Sequence, residues 1–387
     1  SGTSLGTRSY TVQYRETDLG FVARLLAEEA IGWRFEQDDA APAGHALVLF
    51  ANSPSETSCP EDISSTAGAG IRFHRASSQE RSDAIQAFGG QRVLQSAATS
   101  VLSWDYKAKR SVAASVPTHH AFGGEHAPRL ESYDHAGAYA FAGTAQAQRA
   151  ATLLQEAIEA RNKTWLGRST VRTFAPGHSF DLTESPLDAL GALGQGQAQG
   201  EDERRFVLTG VTHAGINNLP KELSARIAGR FDQGGAGGAG LLAEWIDPEV
   251  RAQAAATGYG NAFEAIRAKI PWRPALSDHS DQRLNARPTV DGPLIATVVG
   301  ADGADSGPEP LHTDRLGRIR IRHDFQAAGE ASTWVRVLQR WAGAGMGQQF
   351  IPRIGQQVLV GFFDNDIDRP VVIGALYDGQ GEGGIAA

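Results

Sequence analysis

The strongest constraint on this sequence is the segment from Trp334 to Gly374, where short apolar runs alternate with glycine-rich and acidic breaks. Runs of Val, Leu and Ile with interspersed Arg or Gln predict strands that have one solvated face. Gly343, Gly345 and Gly347 interrupt this pattern and permit positive φ angles. The segment therefore predicts a glycine-rich loop, a tight polar turn over the aspartates near residue 366, and strands at Thr333–Trp341, Gln356–Phe363 and Val371–Tyr377.

Two further strands are predicted just upstream. Pro293–Val299 is a short apolar run, and Leu316–Phe325 alternates isoleucine and histidine against arginine. Five short strands in such a small region predict a closed barrel, and five is the strand count of an OB-fold. Closure also removes the exposed edges that free strands would present. We expect the barrel core to include Trp334, Val335, Val337, Leu338, Ile354, Val358, Val360, Ile373 and Leu376.

The order of residues in this region also carries a family resemblance. It contains W-V-R-V-x-Q-x-W-A-G-x-G-x-G-x-Q-F-I-P-R-I-G and then D-x-D-R-P-V-V-I-G, and T-D-R-L-G-R-I-R-I-R-H stands one strand earlier at Thr313–His323. These motifs resemble VgrG, the spike protein family of type VI secretion. The segment Tyr10–Glu36 resembles the tail-hub part of the same family. The resemblance implies a mainly β fold with a few helices, in which tail-hub-like β-barrel domains precede an OB-fold barrel.

The same resemblance implies a domain organisation. Residues 1–285 would form the tail-hub-like region, with helices near 19–30 and 146–162. Residues 286–378 would form the OB-fold domain at the base of the spike, and residues 379–387 would begin a linker to a needle. In the family a further β-rich segment precedes Tyr10 and a three-chain β-helix needle follows the barrel. We therefore expect that both of these parts are missing from this chain.

Composition limits the classes of partner. The formal net charge of −8 over 387 residues argues against a nucleic-acid partner. No apolar run is long enough to cross a membrane, and the N-terminus lacks the charged-then-apolar pattern of a secretory signal. Cys59 is the single cysteine, so no disulfide framework is predicted.

No residue pattern indicates a catalytic, metal or cofactor site. His119, His120, His126 and His135 follow no zinc-ligand spacing, and no G-x-S-x-G is present. The aspartates at 364, 366 and 368 resemble the start of an EF-hand, but Arg369 stands where the required Gly would be. A hairpin turn is the favoured interpretation. We predict a protein that is not an enzyme and needs neither metal nor cofactor.

Local predictions cover the hub region. We expect a strand at Tyr10–Tyr14, a helix capped by Asp18, and a surface loop over Ser53–Gly70. Residues Val116–Gly143 are predicted to be rich in loops. Low-complexity stretches occur at Leu187–Gly200 and at residues 229–240, and the latter lacks the Lys-Ser/Thr of a phosphate-binding P-loop. Further strands are expected at Trp33–Glu36, Ala46–Phe50, Ile71–Arg75, Arg92–Lys107, Thr170–Phe174, Ser179–Leu182, Arg205–Thr212 and Asn261–Pro274.

The resemblance implies a mechanical function. Members of the family form homotrimers that cap the hexameric Hcp tube, and a contractile sheath drives tube and spike through a target membrane. A PAAR-type tip protein and effectors would join through the needle, and the membrane would be met only by puncture. The protein would be made in the bacterial cytoplasm without a signal peptide, assembled on the baseplate and injected into target cells. The alternatives are a baseplate hub of a contractile-tail bacteriophage and, less favoured, a nucleic-acid-binding OB protein.

The glycine-rich loop is the predicted contact surface. Trp341, Met346 and Phe350 stand beside flexible glycines, and apolar residues in such a place often mark an interface. The alternative interpretation is that Trp341 and Phe350 fill the bottom of their own barrel. The full set of structural and interface candidates is Trp334, Trp341, Gly343, Gly345, Met346, Phe350, Pro352, Arg353 and Gly355.

Overall fold

The computed structural model describes residues 5, 7–74, 82–120, 128–185, 203–216, 220, 222–223, 246–276 and 287–377. The helices named here are α1 (Asp18–Glu28), α2 (Ile63–Gly68), α3 (Thr144–Asn162) and α4 (Pro248–Thr257). The strands of the hub region are β1 (Gly32–Gln37), β2 (His45–Phe50), β3 (Ile71–Arg72), β4 (Ile85–Arg92), β5 (Ala98–Asp105), β6 (Arg110–Pro117), β7 (Glu131–Ala138), β8 (Lys163–Ser169), β9 (Ser179–Thr183), β10 (Arg205–Gly215) and β11 (Tyr259–Arg267). The C-terminal strands are β12 (Leu294–Val299), β13 (Arg320–His323), β14 (Arg336–Val337), β15 (Ala342–Gly343), β16 (Met346–Gly347), β17 (Gln357–Phe362) and β18 (Pro370–Leu376).

Helix α1 begins one residue earlier than the sequence analysis predicts. The Thr17 hydroxyl accepts a hydrogen bond from the Gly20 N–H at 3.1 Å, so Thr17 and not Asp18 is the N-cap. Asp18 is instead the first helical residue, where its carboxylate interacts favourably with the positive end of the helix dipole. The buried Arg24 faces the interior and pairs with Glu16 at 2.7 Å, which satisfies its charge away from water.

A six-stranded sheet in the order β3-β9-β10-β11-β8-β4 curls until its two edge strands meet. The bridge between Phe73 and Ile85 joins them, and the His74 N–H donates to the Ile85 carbonyl at 2.9 Å. Gly167 faces the interior because a Cβ atom there would lie 2.3 Å from the Phe263 ring. The resulting six-stranded barrel has an aromatic core that contains Phe88, Trp165, Phe174, Phe180, Phe206 and Phe263.

A second sheet, in the order β6-β5-β7, is covered by α3. Ala147 and Ala151 pack against Val101 and Val112, so small residues let the helix lie close to the strands. Strand β7 contradicts the prediction that Val116–Gly143 consists mainly of loops. Its sequence E-S-Y-D-H-A-G-A has no β-branched residue, and pairing with β5 rather than intrinsic propensity makes it extended.

Other parts of the hub region also correct the sequence analysis. Residues 53–70 are not simply a surface loop, because α2 lies there and Cys59 and Asp62 are buried. The segments Tyr10–Tyr14 and Thr170–Phe174 contain no strand. Helix α4 was not predicted, although Asp247 as N-cap before a proline and Glu249 in the first turn were readable signals. The low-complexity segments 187–200 and 229–240 lie outside the described residues, as does most of the linker before residue 287.

A five-stranded sheet in the order β13-β12-β17-β18-β14 forms the C-terminal barrel. Ile319 and Val335 close it, because the N–H of each donates to the carbonyl of the other, at 3.0 and 2.7 Å. Strand β14 pairs with β18 in parallel, and the remaining pairs are antiparallel. The predicted strands at Thr333–Trp341 and Leu316–Phe325 are shorter than expected, but the predicted five-stranded barrel is confirmed.

The core of this barrel agrees only partly with the predicted set. Val335, Val358 and Val360 are buried as expected, and Trp334, Val337 and Ile354 are half-buried. The prediction is wrong for Leu338, Ile373 and Leu376, whose side chains are exposed; Leu338 is 62% exposed because the chain leaves the barrel directly after the two residues of β14. Core residues that the prediction missed are Ala296, Val298, Ile319, Ile321 and Val372.

These positions predict a contrast between two substitutions. Ile321→Ala should lower the free energy of unfolding by about 2–5 kcal/mol, because it removes a fully buried side chain from the closed barrel. Leu316→Ala, the matched control just before β13, should cost less than about 0.5 kcal/mol because its side chain is 60% exposed and already in water. Urea unfolding followed by tryptophan fluorescence measures both. Equal costs for the two variants would contradict the described barrel core.

Candidate assembly surface

The glycine-rich stretch forms a small hairpin at the end of the C-terminal barrel. Strands β15 and β16 pair Ala342 with Gly347 and Gly343 with Met346. Below them the side-chain amide of Gln339 accepts from the Phe350 N–H at 2.8 Å and donates to the Phe350 carbonyl at 3.0 Å. These contacts hold the two arms together from residue 339 to residue 350, so the stretch is a formed hairpin rather than an irregular loop.

The hairpin projects its apolar residues into solvent. Every residue from 341 to 350 is exposed; the side chain of Trp341 is 60% accessible and that of Phe350 71%. The interpretation that these two rings fill the bottom of their own barrel is therefore wrong. Because β14 and β18 run in parallel, the hairpin that follows β14 and the chain that follows β18 leave the same end of the barrel. We call the exposed set at this end the barrel-end patch; it consists of Leu338, Trp341, Met346, Phe350, Leu376 and Tyr377.

Glycine is required at two positions that shape this end. Gly347 has φ +145°, and a Cβ atom there would lie 2.7 Å from the Trp341 carbonyl oxygen across the hairpin. Gly355 has φ +87°, and a Cβ atom there would lie 2.8 Å from the Asp305 carbonyl oxygen. Gly345, at the hairpin tip, also has a positive φ angle, whereas the φ angle of Gly343 is not positive. The glycine pattern thus defines the hairpin geometry rather than a mobile loop.

The remaining candidates lie around the hairpin rather than on it. Trp334 is half-buried on the outside of the barrel, with the His312 ring at 4.9 Å and the Arg320 guanidinium at 5.1 Å. Pro352 is half-buried, and the exposed Arg353 donates its backbone N–H to Gln356 at 2.9 Å. Sequence reasoning missed the charge around the patch: the exposed side chains of Arg315, Arg340 and Arg353 form no ion pair within the described residues.

The histidines and aspartates that resemble metal ligands in the sequence are dispersed in the fold. His135 is exposed on β7 and His119 is exposed after β6, while His126 lies outside the described residues. The aspartates near residue 366 form the predicted tight turn, in which Asp366 accepts from Arg287 at 2.7 Å and from the Asp368 N–H at 2.9 Å. Across the described ranges no group of three His, Cys, Asp or Glu side chains could hold a metal ion. Nor does any helix in those ranges have the length and apolar character needed to span a bilayer.

The acidic turn instead joins the start of the chain to the C-terminal barrel. The Val12 N–H donates to Oδ1 of the buried Asp368 at 2.8 Å. Val12 packs with Val290 and Ile367 in a small apolar cluster, to which Tyr10 and Tyr14 add their rings. The segment predicted as a strand is therefore a docking segment. We call this contact region the seam.

Burial changes the protonation of two groups at and near the seam. It raises the pKa of Asp368 to about 6, with the neighbouring Asp366 charge as the second cause. It lowers the pKa of His323 to about 4. The His323 ring stacks on Phe325 at 5.1 Å and on Phe362 at 5.9 Å, and neither ring nitrogen has a hydrogen-bond partner among the described residues. Both side chains are thus held in their neutral forms more strongly than in water.

Comparison with known proteins decides the family. The family model for the phage tail baseplate hub (GPD) matches residues 2–219, which is more than half of the chain. The chain belongs to the phage tail baseplate hub family. A second model, the type VI secretion system/phage-baseplate injector OB domain, matches residues 310–377 of this hub protein. The predicted resemblance and fold class, a tail-hub region followed by an OB-fold barrel, are confirmed.

Relatives of this hub protein include named spike proteins. It is 28% identical over 380 residues to the type VI secretion system spike protein VgrG1b of Pseudomonas aeruginosa, covering 96% of this chain and 42% of the relative. It is also 28% identical over 377 residues to the actin cross-linking toxin VgrG1 of Vibrio cholerae, covering 96% of this chain and 28% of that protein. The chain therefore spans less than half the length of these relatives.

Among solved structures, the E. coli c3393 protein, a component of the type VI secretion system, aligns with 94% of this chain and 62% of its own length. The TM-score is 0.49 at 17% sequence identity. The lidless PdpA-VgrG complex aligns with 94% of this chain at a TM-score of 0.39 and 7% identity.

The seam predicts an unusual pH dependence. Because the native pKa of Asp368 is about 6 and that of a free Asp is about 3.9, the stability it contributes is full below about pH 4 and lost as the pH rises through 6. The free energy of unfolding of the parent chain should therefore fall by about 2 kcal/mol relative to Asp368→Asn between about pH 4 and 7. Urea unfolding at several pH values measures this difference.

The substitution His323→Phe should show the opposite pH dependence of stability. The stability contributed by neutral His323 is present above about pH 6.5 and lost as the pH falls towards 4. The free energy of unfolding of the parent chain should therefore increase relative to that of His323→Phe as the pH rises.

For the first variant, a pH-independent difference between the parent chain and Asp368→Asn would show that the Asp368 carboxyl group is not buried at the seam.

Proposed function

We propose that this hub protein is a structural component of a contractile injection machine of the type VI secretion kind, part of a spike that caps the tube. The order of its two matched regions, hub model and then injector OB domain, supports this proposal. The alignment with VgrG1b over 96% of the chain supports it further. On this proposal the work is mechanical: the sheath drives tube and spike through a target membrane.

The chemistry of the described residues suits a structural role. Burial raises the pKa of Cys59 to about 11, so the single thiol stays protonated and is a poor nucleophile at neutral pH. Two arginines in and just before β13 are paired within the chain: Arg322 with Asp305 at 2.7 Å, and Arg318 with Asp314 at 2.6 Å. Such paired arginines are a poor surface for phosphates, which argues against the nucleic-acid-binding alternative.

The single observation that carries the assembly part of the proposal is the barrel-end patch. Six large apolar side chains are exposed at one end of the C-terminal barrel, and three of them, Trp341, Met346 and Phe350, lie on the hydrogen-bonded hairpin. Exposed apolar patches of this kind mark interaction sites. We infer that three copies meet through this end, because a closed threefold ring would cover the patch and stop further growth.

The remaining partners follow from the same proposal. A threefold hub with two barrel-like parts in each copy would present a pseudo-sixfold surface to the hexameric Hcp tube. A PAAR-type tip protein and effectors would join through a needle beyond this segment, and the protein would travel from the bacterial cytoplasm through the baseplate. The second candidate is a phage baseplate hub, favoured by the hub model itself. Copurification with a tube protein encoded beside a secretion sheath would distinguish the two.

The patch predicts a specific loss of self-association. In Trp341→Ser/Phe350→Ser, the dissociation constant of the trimer should rise at least about tenfold, because two exposed rings central to the interface are removed. Sedimentation velocity across a hundredfold dilution measures the change. Tyr133→Ser is the matched control, since Tyr133 is 62% exposed on β7, away from the patch.

Two outcomes would contradict the proposal in different ways. A parent chain that stays monomeric at micromolar concentration would overturn trimer formation by this segment. A double variant that associates as tightly as the parent would leave the trimer intact and remove the barrel-end patch as its contact. Because association stabilises the folded state, the melting temperature of the parent should also rise with its concentration.

A further inference from the structure

The hub region carries an arm with one open apolar face. Strands β1 and β2 form a two-stranded ribbon that pairs Trp33 with Leu49 and Phe35 with Leu47. All four side chains point to the same face and are exposed; Phe35 is 58% accessible. Alternation along both strands places the other face inward. The ribbon thus shows a contiguous apolar surface that none of the described residues covers.

The ribbon is firmly attached through its opposite face. Arg34 is buried there and donates to the Ser58 carbonyl, while Phe50 packs on Trp272 with ring centroids 6.1 Å apart. Phe50 also belongs to a buried cluster with Val207 of β10 and Ile266 of β11. The open face is therefore one side of an anchored element, and the ribbon sits outside the β10–β11 part of the six-stranded barrel.

The tip of the ribbon is acidic. The turn between the strands reads D-D-A-A-P-A-G, and its residues are exposed apart from the half-buried Ala41. Asp38 accepts a hydrogen bond from the Ala40 N–H, and neither Asp38 nor Asp39 forms an ion pair within the described residues. The arm therefore combines one exposed apolar face with an acidic tip.

A surface of complementary, basic charge lies at one open end of the six-stranded barrel, and we call this end the mouth. Strand β4 ends at Arg92 opposite Lys163, where β8 begins, and β11 ends nearby at Arg267. Burial lowers the pKa of Lys163, and the charges of Arg92 and Arg267 lower it further. The Lys163 ammonium lies 4.4 Å from the Trp165 ring. Lys269 adds a fourth cation to this cluster and pairs with Glu203 at 3.2 Å.

Apolar side chains adjoin this basic mouth. Val93 and Leu94 follow β4 directly and are both exposed. The base of the arm borders this mouth, because Ala268 and Ile270 pack on the cluster that holds Phe50. The arm tip and the mouth are distinct surfaces of opposite charge, and neither Asp38 nor Asp39 pairs with a cation of the mouth within the described part of the chain. A chain with two complementary surfaces that do not pair within one copy can associate head to tail, and a ring results if the rotation closes.

We propose that the acidic arm of one copy docks on the basic mouth of the next copy, with its apolar face against Val93 and Leu94 of that copy. This inference rests on the proposed assembly of copies into a ring and names the surfaces that join them within the hub region. Charge complementarity selects a second copy as occupant, since both halves of the contact are present in this one sequence. The contact is independent of the barrel-end patch and would act beside it.

A charge-swap series tests the proposal. Asp38→Lys/Asp39→Lys reverses the arm, and Arg92→Glu/Lys269→Glu reverses the mouth at two exposed positions. Each reversal should raise the dissociation constant for self-association at least about tenfold, because like charges then face each other. The chain with all four substitutions should return to within about threefold of the parent, because the pairs are restored with exchanged sign. Asp291→Lys/Glu309→Lys, at exposed positions outside both surfaces, is the matched control.

The outcomes separate this inference from the proposed function. Two weakened variants with no recovery in the fourfold variant would overturn the arm-to-mouth contact. Unchanged association in both reversals would also overturn it and leave the ring itself standing. A parent chain that stays monomeric would overturn both. If the arm reversal weakens binding to purified tube-protein rings but not self-association, the arm faces the tube and the proposal is wrong.

Discussion

Both barrels depend on one constraint: the backbone N–H and C=O groups on the edge strands of a curled sheet need hydrogen-bond partners. The six-stranded barrel meets this at Phe73 and Ile85, and the five-stranded barrel at Ile319 and Val335. Once closed, each barrel has an interior that only side chains can fill, which explains the aromatic core of one and the valine and isoleucine core of the other. Two elements that lie outside these closures, the β1–β2 ribbon and the β15–β16 hairpin, present several large apolar side chains to solvent.

The sequence predicted those parts of the fold that depend on short-range pattern. The amphipathic face of α3 and the alternation along Leu316–Phe325 located real elements, and the barrel class followed from the number and spacing of strands. The failures lie where tertiary pairing overrides propensity. Strand β7 extends because β5 pairs with it, and Tyr10–Tyr14 is fixed by the barrel turn rather than by a sheet. The domain boundary near residue 286 stays a prediction, because residues 277–286 lie outside the described part of the chain.

The candidate site was predictable in identity but not in environment. Trp341, Met346 and Phe350 were recognisable beside their glycines, whereas their exposure could not be read from the sequence. Leu338 shows the same limit, since an apolar residue next to a strand can face either the core or solvent. The cations around Lys163 come from β4, β8 and β11, which are distant in sequence, so only the barrel brings them together. The ion pairs of Arg318 with Asp314 and of Arg322 with Asp305 had the opposite effect, because they neutralise part of an apparent basic stripe.

The seam has a consequence for how the chain comes together. The hydrogen bond from Val12 to Asp368 joins positions 356 residues apart, so nearly the whole polypeptide is a loop between its two partners. The entropy cost of closing such a loop grows only slowly with its length, but it must be met before the contact stabilises anything. The strand pairs of one barrel lie within residues 71–267 and those of the other within 294–376, so neither sheet includes the contact between Val12 and Asp368. We therefore expect the seam to close after the barrels have formed and to open before they unfold.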